Sequence, residues 1–202
     1  MANEGLWQRL VALDGQGAAQ RAGCRYASEP PRYIITLLNT EYEVSLSDRQ
    51  VFSSPQGSEL APAGFLEELC ILAYLINAKD LPPAGKLVKA EELPSGQFFF
   101  RGLHSLPTDK LEKTFGHPPE SLLGVAEQFG GEKCEFGDAS IRLNVLPRVP
   151  MTIIIWGQCE QFPARASILF DQTAAEQMPL DALWAAANFA VEKLIKAAVR
   201  SG

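Results

Sequence analysis

The C-terminal stretch constrains the fold more than any other part of this chain. From Pro179 or Leu180 onward, Leu180, Leu183, Trp184, Ala187, Val191, Leu194, Ile195 and Ala198 recur at helical spacing and form one apolar stripe along a long helix. Asp181 sits near its start, and Lys193, Lys196 and Arg200 near its end, as the helix dipole favours. A stripe of that length needs a broad apolar surface to cover. Met151–Trp156 supplies one, because this largely apolar run of strand length predicts a central strand buried on both faces.

The segments before it supply neighbours. Ser140–Val145 alternates Ile141, Leu143 and Val145 with Arg142 and Asn144, and Ala166–Phe170 reads as one more strand. Two prolines make Leu146-Pro147-Arg148-Val149-Pro150 a rigid connector outside any ladder. Upstream, Tyr33–Leu37, Glu41–Leu46 and Gln50–Ser53 form a strand series with turns at Asn39-Thr40 and Ser47-Asp48-Arg49. Helices fit Leu6–Leu13, capped by Asn3, then Gly17–Ala22 and Phe65–Ala78. In the middle third, Gln97–Arg101 reads as a short aromatic strand, followed by helices over Thr108–Phe115, capped by Thr108, and Pro119–Phe129. The expected fold is α+β: an antiparallel or mixed sheet flanked by helices and closed by the long C-terminal helix, in a single domain over residues 1–202.

Charge and patterning exclude several classes. Asp and Glu outnumber Lys and Arg, 24 to 18, for a formal charge of −6, and no basic run could track a phosphate backbone. No nucleic acid partner is expected. The longest apolar stretch, Leu69–Ile76, is too short to cross a bilayer, so no membrane association is expected either. The first residues lack the basic and apolar regions of a secretory signal, which points to a soluble, cytoplasmic protein. Nothing in the sequence specifies an oligomeric state.

Few residues offer chemistry. Cys24, Cys70, Cys134 and Cys159 form no C-x-x-C pair and have no histidine at ligand spacing, so no metal site is expected in the chain. Cys134 and Cys159 fall in more exposed contexts than Cys70. His104 and His117 lack a nucleophile motif to serve. Asp138, Glu160 and Asp171 lie at strand ends in the final third, where loops can converge on one edge of a sheet. A pair of them could do acid–base work or hold a hard cation, while turn chemistry explains Asp138 and an N-cap explains Asp171. Arg101, after three phenylalanines, and Arg148, between two prolines, could bind an anion bidentately. Trp156 could line a pocket beside Gly157.

Leu146-Pro147-Arg148-Val149-Pro150, Ile155-Trp156, Glu160-Gln161-Phe162-Pro163 and Ile168-Leu169-Phe170-Asp171, with Leu72-Ala73-Tyr74-Leu75, Gly85-Lys86, Glu92-Leu93, Gly96 and Gly137-Asp138 upstream, resemble a family of uncharacterised domains of anaerobic bacteria and archaea. Some of its members are fused to an iron–sulfur cluster-binding module. The resemblance implies an accessory or ligand-binding role in a redox or metallo-cofactor system, with any cluster carried by a partner protein, since the cysteine cluster of that module is absent here. Where relatives carry an acidic run before the Phe-Pro, this chain keeps only Glu160. A non-catalytic accessory or ligand-binding domain is therefore the first expectation. The alternatives are a hydrolase or transferase using Asp138, Glu160 or Asp171, and a protein-interaction domain.

Overall fold

The structure, a computed structural model, describes residues 3–53 and 60–201. Its elements run α1 (Glu4–Val11), α2 (Gly15–Ala22), β1 (Arg25–Ser28), β2 (Pro31–Leu37), β3 (Thr40–Ser45), β4 (Gln50–Ser53), β5 (Ala61–Pro62), α3 (Phe65–Asn77), β6 (Leu87–Lys89), α4 (Gly96–Phe99), α5 (Thr108–Phe115), α6 (Ser121–Glu127), β7 (Glu132–Lys133), β8 (Ala139–Leu146), β9 (Val149–Trp156), β10 (Arg165–Asp171), α7 (Ala174–Gln177) and α8 (Leu180–Ser201). The strands form two antiparallel sheets, ordered β1-β2-β3-β4-β5 and β6-β10-β9-β8-β7. This is the expected α+β architecture, with the strands divided between two sheets.

In the first sheet the hairpin between β2 and β3 turns at Leu38-Asn39, one residue earlier than expected. Both residues have positive φ, 48° and 60°, the mirror-image turn whose twist suits paired strands. Leucine tolerates that conformation here because its side chain is buried and its N–H donates to the Val145 carbonyl at 2.9 Å, tying the first sheet to β8. The expected N-terminal cap is also modified. Asn3 stands at the head of α1, but its side chain donates to Glu68 Oε1 at 3.0 Å, the oxygen that also accepts from Trp7 Nε1 at 3.1 Å.

The second sheet holds the central strand. Val149 to Ile155 is buried throughout β9, and α8 packs against α3, α5, α6 and β8. Its buried set is wider than the predicted stripe, with Ala182, Ala185, Ala186, Phe189 and Ala190 added, because α3 covers one flank while the sheet takes the other. Register sorts the sheet into two faces. Ile141, Ile153 and Ile168 form one row, flanked by Leu143, Met151 and Phe170 and by Ala139, Ile155 and Ala166. This inner face lies under the helices. The opposite face carries Arg142, Asn144, Thr152, Ile154, Trp156, Arg165, Ser167 and Leu169, and Ile154 stays outside the contiguous core although only 5% exposed.

Three expectations are corrected. Pro150 lies within β9, opposite Asn144, and a register shift between Asn144 and Leu146 accommodates it. Only Pro147 and Arg148 remain as the turn. Gln97–Arg101 is not a strand: Gly96–Phe99 makes one helical turn, which aims Phe100 into the core, Phe99 onto His104 and Phe98 outward. Thr108 begins α5 rather than capping it. Leu93, Phe100, Leu111, Phe115 and Leu122 from the middle third join the same buried cluster as both sheets.

Candidate functional site

The end of β9 is where the sequence forces the chain open. Trp156 is the last strand residue, 42% exposed on the outer face, with Arg165 as its cross-strand partner. Gly157 follows it, pressed so closely on Pro119 that a Cβ would lie 2.7 Å from the proline ring. The returning loop is anchored at both ends: Gln158 N donates to the Gly116 carbonyl at 2.9 Å, and Cys159 N to the Phe162 carbonyl at 3.0 Å. This hairpin-like return lifts Phe162 outward, leaving it 66% exposed.

Asp138 closes the opposite side. Its backbone N–H donates to the Ile155 carbonyl at 2.9 Å, and its Oδ2 accepts from Gly157 N at 2.8 Å. The preceding residue must be glycine: Gly137 has φ +58°, and a Cβ there would lie 2.7 Å from the Ile155 carbonyl oxygen. Asp138, Trp156, Gly157, Cys159, Phe162, Pro163 and Arg165 line a concavity of about 550 Å³. Its walls are mostly apolar, with one carboxylate already committed to a backbone donor. Arg165 is exposed and forms no ion pair among the described residues. A few convergent polar groups on apolar walls are what a small-molecule site requires.

A second concavity, about 570 Å³, is lined by residues including Lys86, Glu92, Gln172, Thr173 and Glu176. No aromatic side chain lines it, and its charges are mixed. Apolar contact supplies most of the binding energy for a small ligand, so the aromatic site is the better candidate.

Of the residues singled out in the sequence, Asp138, Trp156 and Cys159 meet at this site. Glu160 lies on the same loop, exposed and off the wall. Asp171 ends β10, roughly 17 Å along the strands from Ala166 at the Asp138 end, and it is not an N-cap. It is 2% exposed and accepts from Ala84 N, Gly85 N, Thr173 N and Thr173 Oγ1 at 2.7–3.0 Å. Burial acts to raise its pKa, but these four donors together hold it below the ordinary aspartate value. The three carboxylates therefore share no cleft. Arg148, in the turn at that far end of β9, pairs with Asp80 at 2.6 Å and donates to the Gln20 carbonyl. Arg101 is exposed beside the 3-10 turn Gly102–His104.

Burial pushes the Cys24 and Cys70 thiols up to about 12, while Cys159 is exposed on the site wall. Among the described residues no group of three His, Cys, Asp or Glu side chains gathers that could hold a metal ion. No described helix is long and apolar enough to cross a membrane. Phe162 had a legible signal in its Phe-Pro motif. Arg165 had none, because its place beside Trp156 depends on strand register.

A model of a family of domains of unknown function, DUF3786, matches residues 14–193. No curated protein and no solved structure matches the chain.

Proposed function

The chain belongs to this family of domains of unknown function, and we propose that it is a non-catalytic accessory domain binding a small aromatic anion between Trp156 and Phe162. One observation carries the reading: two solvent-exposed aromatic side chains face one concavity that also holds Arg165, which forms no ion pair among the described residues. Exposed apolar walls gain roughly 25 cal/mol for each Å² that a ligand covers, and an arginine beside a tryptophan favours a planar ligand bearing a carboxylate or phosphate. The fixed Asp138 carboxylate shapes the site and disfavours an anion on its own side. The family resemblance adds the setting: a redox or metallo-cofactor system whose iron–sulfur cluster resides on a partner protein.

Titration with 4-nitrobenzoate and with flavin mononucleotide, followed by tryptophan emission and thermal melting, tests this. Trp7 is buried and Trp184 is half-buried outside the lining of this concavity, so the part of the quenching that Trp156→Ala removes is the signal from the site. Ligand at 100 times its Kd raises stability by about 2.7 kcal/mol, which is roughly 5–10 °C in Tm for a chain of this size. Trp156→Ala should abolish the response and Arg165→Gln should weaken it. Absence of quenching and of any Tm shift with both compounds would overturn the reading.

A further inference from the structure

A third concavity, about 320 Å³, opens where the two sheets meet, toward the end of β9 opposite Trp156. Trp156 and Pro150, the cross-strand partner of Asn144, are six residues apart on that strand, about 20 Å. The bond from Leu38 N–H to the Val145 carbonyl, 2.9 Å, fixes the geometry of this third cavity. Thr36 and Asn39 stand on either side of the donor in the chain, Asn144 and Leu146 on either side of the acceptor, and all four line the cavity. Gly130, just after α6, abuts the Asn39 amide so closely that a Cβ would lie 3.2 Å from Asn39 Cγ.

The lining differs in character from both concavities described above, because no charged side chain belongs to it. Arg148, which follows Pro147, is committed to Asp80 and the Gln20 carbonyl. Thr36, Asn39 and Asn144 are exposed, and their side chains form no hydrogen bond among the described residues. Each amide offers two donors and an acceptor oxygen, and the hydroxyl is both donor and acceptor. Half-buried Phe129 and Pro147 add apolar surface beside them.

An anion meets no cation here and a cation meets no carboxylate, while the formal charge of −6 further opposes an anion. Neutral donors and acceptors beside an apolar wall suit a neutral ligand with hydroxyls on its rim and C–H groups on its face. The volume lies at the small end of ligand sites, which matches a single ring. We propose that this cavity binds a neutral polyhydroxylated ring of monosaccharide size. Its hydroxyls bond to Thr36, Asn39 and Asn144, and one ring face covers Phe129 and Pro147. The inference goes beyond the aromatic-anion reading and is independent of it.

Isotope-labelled protein, followed by proton–nitrogen correlation NMR, is titrated with glucose, galactose, mannose, ribose and myo-inositol, with adenine and inorganic phosphate as comparators. Residue-resolved shifts separate binding from the general stabilisation that sugars exert through exclusion from protein surfaces. At least one of the polyols should shift the Asn39 and Asn144 side-chain amides and the Gly130 N–H saturably at millimolar concentration, leaving the Trp156 indole unmoved. Asn144→Ala and Thr36→Val should each weaken that binding about fivefold or more at an unchanged melting temperature. Asn39→Gly, which keeps the positive φ of the turn, should do the same. No saturable shift with any polyol, unchanged affinity in all three variants, or shifts of these amides by adenine or phosphate as strong as by the polyols would each overturn the inference.

Discussion

Replacing Asp171 by asparagine distinguishes a structural carboxylate from a chemical one. In the native chain Oδ1 accepts from Ala84 N, Thr173 N and Thr173 Oγ1, and Oδ2 accepts from Gly85 N at 2.7 Å. Asparagine keeps one oxygen acceptor and turns the other atom into a donor aimed at the Gly85 N–H. One charge-assisted hydrogen bond is lost, worth about 1.5–3 kcal/mol, and a half-buried donor is left unpaired. A total near 3 kcal/mol corresponds to a Tm lowered by roughly 6–12 °C at this chain length. The pH dependence has a defined sign. The folded carboxyl is held below its ordinary value near 3.8, so its contribution is complete above the unfolded pKa and disappears as pH falls through the folded one. The gap between native protein and Asp171→Asn, followed by circular dichroism, should therefore hold steady from neutrality to about pH 5 and close below pH 4. A variant melting within about 1 °C of the native protein, or a gap that widens on acidification, would refute this reasoning. Quenching of Trp156 by aromatic anions should be unaffected, because Asp171 lies at the other end of the strands.

Gly137→Ala should destabilise the protein by about 2 kcal/mol, since it forces a Cβ into a left-handed residue and against the Ile155 carbonyl; because Asp138 follows it, ligand quenching should weaken in the same variant. Tyr74→Phe removes a buried hydroxyl that donates to the Ala22 carbonyl at 2.8 Å and accepts from Arg148 N at 3.2 Å, and chemical denaturation should show a loss of about 2 kcal/mol. Iodoacetamide labelling mapped by mass spectrometry at neutral pH should modify Cys159 first and leave Cys70 untouched until the protein unfolds, because burial both shields the Cys70 thiol and holds it near 12.

What the sequence revealed depended on how local each signal was. The α8 stripe, the β9 run and the alternation in β3 and β8 are carried by neighbouring residues, and each element forms where its pattern lies. β5, β6 and β7 are two or three residues long and exist only because another strand, adjacent for β5 and β7 and distant for β6, offers ladder positions, which no local pattern announces. Phe98, Phe99 and Phe100 have strand-like composition, yet the turn at Gly96 curls them into helix and sends them in three directions. The site divides in the same way. Trp156 and Asp138 stood out because a strand end and a Gly-Asp turn are local features. Arg165 joins them only through cross-strand register, and Asp171 and Arg148 were drawn apart from them by pairing with residues 68 to 87 positions away.

The hydrogen bonds and packing of α1 show that sequence kinship and mechanical integrity end at different places. The family match begins at residue 14 and stops at 193, yet Trp7 and Leu10 are buried against the body of the protein, and Glu68 on α3 is bonded from both Asn3 and Trp7. Leu194 is likewise fully buried, one residue past the other limit. Trimming the chain to the matched span would strip those three apolar side chains from α3 and α8 and leave their sockets wet. At 2–5 kcal/mol for each large buried residue removed, the loss reaches about 6 kcal/mol or more, comparable with the whole stability of many proteins. The recognisable sequence is thus smaller than the packed core, and the residues on either side of it act as clamps on α3 and on the helices packed against it.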